Sequence, residues 1–279
     1  MANPSDPVLT ALVRQGFRFK KELGQNFLFH PFILEQIAEC AGIRSGDVVI
    51  EAGAGAGSLT AALAATGASV IAVELDRALI PVLRQRFAQN PGVTILQGDI
   101  LKMDLDSLAE GGTYKLCANL PYHISTAFLS GIFRHTEGLA AGAVLLQKEV
   151  ANKVTALPGS NNYGLLALAA AWFGDTKQVM RLGPEYFTPP PPVDSAVVAF
   201  QRKPNKPDVA EEILWRVIRG LFNQRRKNLV NGLKSLKPLA PRGGEGWAEV
   251  LEKAGLDYQR RPETLSLEEF ALIARAVDY

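Results

Sequence analysis

The sequence predicts an α/β protein in which a parallel sheet is covered by helices and is followed by a smaller all-helical domain. From about residue 31 to residue 150, short β-branched runs alternate with longer helical stretches, which is typical of a parallel sheet with helices on both faces. The strand candidates are apolar almost throughout, as expected for strands that are buried on both sides. After a polar linker at residues 203–207 (KPNKP) the pattern becomes helical. We therefore predict two domains, residues 1–203 and residues 204–279.

The individual elements follow from hydrophobic patterning and from breaker residues. Residues 47–51 (DVVIE) form a short apolar run typical of a buried strand, whereas Ile80, Leu83 and Phe87 recur at helical spacing. The prolines in residues 188–193 (TPPPPV) cannot donate ladder hydrogen bonds, so we predict an extended connector there. In chain order, the predicted strands are residues 47–51, 69–75, 93–96, 114–117, 140–147, 177–182 and 196–201, and the predicted helices are residues 58–66, 77–89, 163–172, 209–222, 225–236, 247–254 and 267–277.

The composition excludes several classes of protein. Of 279 residues, 47% are apolar and 21% are charged, which is ordinary for a globular protein and excludes a fibrous or disordered one. Two cysteines are too few for a disulfide framework, and three histidines without an H-E-x-x-H pattern predict no metal site. No apolar run approaches the ~20 residues that span a bilayer, and residues 1–13 lack the basic residues of a targeting signal. We therefore predict a cytoplasmic protein with no membrane partner.

A glycine-rich loop follows the first predicted strand. The pattern is E-x-G-x-G-x-G, with Gly53, Gly55 and Gly57 at the carboxyl end of the strand, where open sheets bind nucleotides. A dinucleotide fingerprint would need a third glycine at position 58, which is Ser58. The pattern instead fits S-adenosylmethionine, which has no pyrophosphate, on a Rossmann-like sheet. A turn that is rich in glycine only for packing remains the alternative interpretation of the loop alone.

Acidic residues follow the next two strands. Glu74 ends the second strand, where a carboxylate can accept hydrogen bonds from both ribose hydroxyls of a nucleoside. Asp99 and its neighbour Ile100 follow the third strand, where a carboxylate can accept from an adenine amine. Each acid alone is more often a helix cap or a solvated loop residue. Glycines, Glu74 and Asp99 at three successive strand ends together predict an adenosyl cofactor.

A tetrapeptide after the fourth strand, residues 119–122 (NLPY), predicts methylation of a base amine. Such an amine is planar because its lone pair is delocalised, so two acceptors aimed at its N–H groups would favour the tetrahedral, charged nitrogen. The Asn119 carbonyl and a backbone carbonyl near Leu120 and Pro121 are the candidates, and Tyr122 offers a ring on which a flipped base can stack. The sulfonium is an activated methyl donor, so placement matters more than a general base. Taken alone, such a tetrapeptide is more often only a strand-end turn.

Five segments of the chain form a characteristic set: residues 23–28 (LGQNFL), the glycine loop, residues 119–122, residues 187–195 (FTPPPPVDS) and residues 222–233 (FNQRRKNLVNGL). In order and spacing they resemble the rRNA adenine N6,N6-dimethyltransferase family, and within it the bacterial KsgA-type branch. The resemblance implies a class I S-adenosylmethionine-dependent methyltransferase that releases S-adenosylhomocysteine. It also implies dimethylation of two adjacent adenosines in the 3′-terminal hairpin of small-subunit (16S) rRNA, within a pre-30S particle.

The resemblance also implies roles for individual residues. Asn26 and Leu28 would contact the cofactor, and Gly53 would lie beneath its methionine part. Asn119 would lie between the cofactor and the target base, and Phe187 would face Tyr122 across the target pocket. Glu74 and Asp99 would keep the ribose and adenine roles predicted above.

A basic segment in the C-terminal domain predicts RNA binding. Residues 213–244 contain no acidic side chain, and residues 202–279 carry a net charge of +4 against −2 for residues 1–201. A helix through this segment would place Arg219, Arg226 and Lys237 on one broad face suited to phosphates. Lys20 and Lys21 are candidates to extend this basic surface. A solvated helix face is the alternative. The basic residues concerned are Arg216, Arg219, Arg225, Arg226, Lys227, Lys234, Lys237 and Arg242.

Three functions remain open at this point. The first is the small-subunit rRNA dimethylase, which we expect to be a monomer. The second keeps the chemistry but acts on large-subunit rRNA, as Erm-type enzymes do, or on DNA adenine. The third is a ribosome-assembly factor in which catalysis is secondary.

Overall fold

The computed structural model describes residues 14, 17–20, 23–236 and 239–278. The chain forms two compact units: the first comprises residues 1–152 and 174–202, and the second comprises residues 153–173 and 203–279. No helix in the described ranges is both long and apolar enough to span a membrane. Within the same ranges, no three His, Cys, Asp or Glu side chains are grouped as metal ligands would be.

The first unit is built on a seven-stranded sheet. Its strands are β2 (Val48–Ala52), β3 (Ser69–Glu74), β4 (Val93–Gln97), β5 (Tyr114–Asn119), β6 (Leu139–Gln147), β7 (Gly174–Leu182) and β9 (Ser195–Arg202). The strand order is β4-β3-β2-β5-β6-β9-β7; the first five strands are parallel, and β9 runs antiparallel to both β6 and β7. Reversal of order between β2 and β5 leaves a crevice at the strands' carboxyl ends, which is where ligands bind in such sheets.

A second, short pairing closes this unit. Strand β1 (Phe27–Leu28) runs antiparallel to β8 (Phe187–Thr188), with Leu28 opposite Phe187.

The seven-stranded sheet and its helices confirm the predicted α/β class, but the helix predicted over residues 77–89 is shorter and begins after a turn. The helices, in chain order, are α1 (Pro31–Cys40), α2 (Ser58–Ala65), α3 (Ile80–Arg86), α4 (Leu105–Leu108), α5 (Ser125–His135) and α6 (Lys148–Val154). The sequence patterning does not identify α1, α4, α5 or α6.

The second unit contains one helix that the sequence placed in the first domain. Helix α7 (Leu165–Phe173) is apolar on almost every side, so it needs cover from other helices. Trp172 packs edge-on against Trp215 with ring centroids 6.4 Å apart, and the Tyr163 hydroxyl donates to the Leu265 carbonyl at 2.7 Å. The division therefore differs from the predicted boundary in giving residues 153–173 to the C-terminal unit. Its remaining helices are α8 (Glu211–Phe222), α9 (Leu229–Leu233), α10 (Trp247–Lys253) and α11 (Leu267–Arg275).

Two features of the second unit correct the prediction of an all-helical domain with a long basic helix. Strands β10 (Ala240–Pro241) and β11 (Val277–Asp278) form a short antiparallel pair. The predicted helix over residues 225–236 was wrong: α8 ends at Phe222, residues 223–227 form turns, and the Asn228 side chain caps α9 by accepting from Asn231 N at 3.0 Å. Arg219 and Arg226 therefore do not share a continuous helix, and Lys237 lies outside the described residues.

Candidate active site

A cleft lies at the carboxyl ends of β2, β3 and β5, where the sheet order reverses. It brings together most of the residues that the sequence singled out: Asn26, Gly53, Gly55, Glu74, Asp99, Ile100, Asn119, Leu120, Pro121 and Tyr122. It is also lined by residues that the sequence did not single out as site residues: Leu23, Gly24, Gln25, Phe27, Ala52, Val73, Leu75, Leu79, Gly98, His123 and Ile124. Phe27 and Leu75 directly follow the predicted site residues Asn26 and Glu74 in the chain. That adjacency is the one sequence signal that could have identified them as lining residues.

The glycine loop is held against the neighbouring strand. The N–H groups of Gly53 and Ala54 both donate to the Val73 carbonyl, at 2.9 and 3.0 Å. Gly53 has a φ of +81°, which favours glycine, and a Cβ at this position would stand 3.8 Å from the Asn119 carbonyl oxygen. Glycine therefore keeps open the space between the loop and the 119–122 turn, as a ligand lying on the loop requires.

Gly57, which the sequence predicted to contact the cofactor, lies against Leu83 and Phe87. Its φ is +82°, and a Cβ would approach Phe87 Cε2 to 2.8 Å and Leu83 Cδ2 to 2.9 Å. The residue does not line the cleft among the described residues; it allows α2 to begin close to α3. Packing against α3 therefore accounts for a glycine at this position.

Glu74 connects the glycine loop to the end of β3. Its Oε2 accepts from Gly55 N and its Oε1 accepts from Asp76 N, both at 2.7 Å. Burial raises the pKa of Glu74, while these backbone N–H groups oppose the rise. Each carboxylate oxygen has a second lone pair, so the fixed carboxylate can still accept from the hydroxyls of a ribose.

An ion pair that the sequence did not predict fastens the N-terminal segment beside Glu74. The buried Asp76 carboxylate accepts from Lys20 Nζ at 2.6 Å, from Gln25 Nε2 at 2.9 Å and from Ala78 N at 3.0 Å. Although burial raises it, the pKa of Asp76 is held below its usual value by these hydrogen bonds. Lys20 is therefore engaged beside the cleft rather than free to extend an RNA track, and Lys21 lies outside the described residues.

Asp99 caps a short turn and also lines the cleft. Its Oδ1 accepts from Leu101 N at 3.1 Å, which caps a short 3₁₀ turn at Ile100–Lys102, and Lys102 Nζ lies 3.4 Å from its Oδ2. Asp99 and the buried Ile100 nevertheless line the cleft. A polar acceptor beside an apolar side chain is the combination that an adenine amine and ring require.

Asn119 ends β5 with its amide orientation fixed. Its Nδ2 donates to the Asn26 carbonyl at 2.8 Å, so the amide oxygen is the part of the side chain left to accept from a substrate amine. The Pro121 carbonyl already accepts from Ile124 N at 3.2 Å and from Ser125 Oγ at 3.1 Å. Of the backbone carbonyls that the sequence suggested, the Leu120 carbonyl is therefore the better second acceptor.

Two residues implied by the family resemblance lie outside the cleft lining. Phe187 is buried in the core, where it pairs with Leu28 across β1 and β8. Leu28 itself borders a small cavity of about 30 Å³ beneath the glycine loop, which Glu51 and Asn119 also line. Both residues support the walls of the cleft in this structure rather than its surface.

Glu51 is a buried acid beneath the glycine loop. Its Oε2 accepts from Thr60 Oγ1 at 2.5 Å, and its Oε1 has no hydrogen-bond partner among the described residues. Burial raises the pKa of Glu51 to about 8, the Thr60 hydrogen bond opposes the rise, and the nearby Glu74 carboxylate adds to it. At neutral pH the carboxyl is therefore largely protonated in the folded protein.

We expect Glu51→Gln to stabilise the protein at high pH. Because the folded-state pKa lies above the unfolded one, ionisation of Glu51 lowers stability as pH rises from about 4.5 towards about 8. The variant should exceed wild type by on the order of a few kcal/mol at alkaline pH, and the difference should shrink as the solution is acidified. Thermal unfolding across this pH range measures it, with the exposed Glu35→Gln as control. A difference that did not change with pH would contradict a raised pKa.

The cleft fits S-adenosylmethionine. A fixed carboxylate, a polar acceptor beside an apolar wall, and open space over Gly53 match its ribose, its adenine and its methionine part in turn. A nucleoside cleft on a Rossmann-like sheet, with an acceptor amide at the fourth parallel strand end, defines a class I S-adenosylmethionine-dependent methyltransferase.

The comparison with known proteins then identifies the family. Residues 16–272 match the family model described as ribosomal RNA adenine dimethylase, and the chain belongs to that family. Relatives named ribosomal RNA small subunit methyltransferase A are 42% identical in Pelotomaculum thermopropionicum, over 94% of this chain and 92% of theirs, and 43% identical in Geobacter metallireducens, over 94% and 97%. The resemblance stated from the motifs is thereby confirmed.

Two solved structures share the fold. A dimethyladenosine transferase from Plasmodium falciparum superposes with a TM-score of 0.76 at 25% identity, covering 89% of this chain and 96% of that one. The 23S rRNA methyltransferase ErmE gives a TM-score of 0.69 at 22% identity, covering 90% and 99%. The likeness to ErmE is one of fold alone.

Proposed function

We propose that the protein transfers methyl groups from S-adenosylmethionine to the N6 atoms of two adjacent adenosines in the 3′-terminal hairpin of small-subunit (16S) rRNA. The substrate is a pre-30S particle, the enzyme acts as a monomer, and its location is the cytoplasm. The observation that carries the proposal is the Asn119 amide, which the Asn26 carbonyl holds with its oxygen available in the cleft. The curated relatives, named for the small subunit, support the choice of RNA.

The chain's own groups account for the chemistry at the amine. When bound, S-adenosylmethionine supplies an activated methyl group on a positively charged sulfur. Asn119 Oδ1 and the Leu120 carbonyl accept the two N–H groups of the adenine amine, which stabilises positive charge as it develops on nitrogen. Tyr122 stacks on the flipped base, and Glu74 and Asp99 hold the adenosyl part so that donor and acceptor are aligned. No side chain is required as a strong base, because the product ammonium is acidic enough to lose its proton to water.

Methylation of isolated subunits tests the proposal. Small and large subunits from cells that lack the enzyme are incubated with purified protein and labelled S-adenosylmethionine, and the 3′ hairpin is analysed by mass spectrometry. We expect dimethyladenosine in small-subunit RNA. Label that appeared only in large-subunit RNA would favour the Erm-type function, and label in adenine-containing DNA supplied in a parallel reaction would favour a DNA methyltransferase.

The basic residues of the second unit fall into two groups. Arg226, Lys227, Arg219 and Lys234 are exposed, as a phosphate-binding surface requires. Arg225 is exposed as well, but its guanidinium donates to the Tyr163 carbonyl at 2.5 Å and lies 5.0 Å from the centre of the Phe222 ring. Because of these contacts, we assign a mainly structural role to Arg225 and RNA contact to the other four side chains.

This division predicts different effects of alanine substitutions. Arg226→Ala combined with Lys227→Ala should weaken subunit binding and reduce the slope of log affinity against log salt by about 1–2, with the melting temperature unchanged. Arg225→Ala should lower stability by about 1–2 kcal/mol, because it removes a hydrogen bond and a ring contact. Binding isotherms at several salt concentrations and thermal unfolding separate the two. Equal loss of stability in both variants would contradict the assignment.

A further inference from the structure

The hydroxyl of Tyr122 shares a hydrogen bond with a residue 73 positions away in the chain. Tyr122 Oη and Ser195 Oγ are 2.7 Å apart, and Ser195 is fully buried. Tyr122 lines the cleft directly after the acceptor turn, whereas Ser195 belongs to no part of the site described above. A buried hydroxyl that reaches the ring expected to stack on the target base needs a functional explanation.

Ser195 is a rigid anchor. It is the first residue of β9 and is paired on one side with Gln147 of β6 and on the other with Leu182 of β7. The preceding residue is fixed as well, because Lys148 N donates to the Asp194 carbonyl at 3.0 Å. A strand flanked on both sides leaves the Ser195 hydroxyl little freedom to follow movements of Tyr122.

The bond restrains the Tyr122 ring at its far end. The backbone holds the ring at Cβ, and the Ser195 hydroxyl holds it at Oη, so the direction of the side chain is set at both ends. Rotation about the ring axis is otherwise broad. Hydrogen bonds to a phenol oxygen lie near the plane of its ring, so whichever hydroxyl donates, the contact with Ser195 Oγ also favours one tilt of the ring. Burial raises the pKa of Tyr122, with the Ser195 hydrogen bond opposing, so the hydroxyl is neutral.

One segment, residues 187–195, carries both Ser195 and Phe187. At its start Phe187 is paired with Leu28, two residues after the Asn26 carbonyl that orients Asn119. Its prolines fix their own φ angles, so the segment is a stiff spacer. The same segment therefore connects the hydrogen-bond partner of the Tyr122 hydroxyl with the β1–β8 strand pair, which adjoins the Asn26 carbonyl that orients Asn119.

We propose that Ser195 is a positioning residue for the target adenine, acting through the Tyr122 hydroxyl to fix the ring on which the flipped base stacks. The inference rests on the proposed function, because it assumes that Tyr122 stacks on the target base. Ser195 touches neither cofactor nor base. It sets the approach of the amine to Asn119, so it acts on the chemical step rather than on RNA affinity.

A double-mutant cycle tests this. Tyr122→Phe and Ser195→Ala, alone and combined, are assayed for methyl transfer to small subunits. We expect each single variant to lower kcat by about 3- to 10-fold, the worth of one hydrogen bond, and the double variant to be no worse than either. The KM for subunits and the affinity for S-adenosylhomocysteine should stay within about twofold of wild type, and Ser195→Thr, which keeps the hydroxyl, should recover activity.

Several outcomes would overturn the proposal. One is multiplication of the two effects in the double variant, and another is an unchanged kcat in Tyr122→Phe, which keeps the ring and serves even if Ser195→Ala fails to fold. A loss of S-adenosylhomocysteine affinity parallel to kcat would indicate a merely structural effect. With an active wild type these results reject only the part assigned to Ser195, whereas a wild type that labelled neither subunit would reject the proposed function as well.

Discussion

Asn119→Ala is expected to lower methyl transfer by about 10²- to 10³-fold while leaving S-adenosylhomocysteine and subunit binding nearly intact. The substitution removes an acceptor whose orientation is already set by the 2.8 Å bond to the Asn26 carbonyl, so its stabilising effect falls on the transition state. Single-turnover transfer, calorimetry and subunit binding measure the three quantities separately. Transfer within about threefold of wild type would remove Asn119 from the acceptor role.

A matched variant separates the oxygen of Asn119 from its orientation. Asn119→Asp keeps a side-chain oxygen but loses the donor to the Asn26 carbonyl, so transfer should fall between the alanine variant and wild type. The alanine variant also weighs catalysis against assembly. If cells that carry it still assembled small subunits normally, binding by the protein would matter more to assembly than methylation does.

Glu74→Ala is expected to weaken S-adenosylhomocysteine binding by about 10- to 100-fold and to destabilise the protein. The ribose would lose its charged acceptor, and the Gly55 and Asp76 N–H groups would lose theirs. Glu74→Gln, which keeps one acceptor oxygen, should lose less of both. Calorimetry with S-adenosylhomocysteine and thermal unfolding measure the two effects.

Asp104→Ala is the control for Glu74→Ala. Asp104 also accepts from two backbone N–H groups, those of Asp106 and Ser107, but it is exposed and caps α4. Its loss should lower stability without changing cofactor affinity. Equal S-adenosylhomocysteine affinity in Glu74→Ala and wild type would exclude Glu74 from the site.

The sequence was sufficient to predict the sheet and most of the cleft, because both depend on local patterns. Buried parallel strands can be recognised as short, nearly continuous apolar runs, and their carboxyl ends meet at one edge of the sheet. Gly53, Glu74, Asp99 and Asn119 each end or follow such a strand, so four local observations were enough to place them together.

Long-range polar pairs were beyond the same reasoning. Lys20 and Asp76 are 56 residues apart and Tyr122 and Ser195 are 73 apart, and no periodicity relates their positions. The basic helix over residues 225–236 failed for a local reason. Arginine and lysine are good helix formers, but the Asn228 cap starts a new helix within the run. The charge pattern of a sequence locates the basic residues, but it does not show whether they lie on a single continuous helix.

The discontinuity of the second unit limits how these proteins can exchange parts. Because residues 153–173 belong with residues 203–279, a single recombination breakpoint near residue 203 would not transfer the whole unit to a relative. A shortened chain ending there would also lack the helices that cover α7, so that Trp172 and its apolar neighbours would be exposed. Inheritance as one block, rather than by shuffling of two modules, is therefore the expected evolutionary history of this architecture.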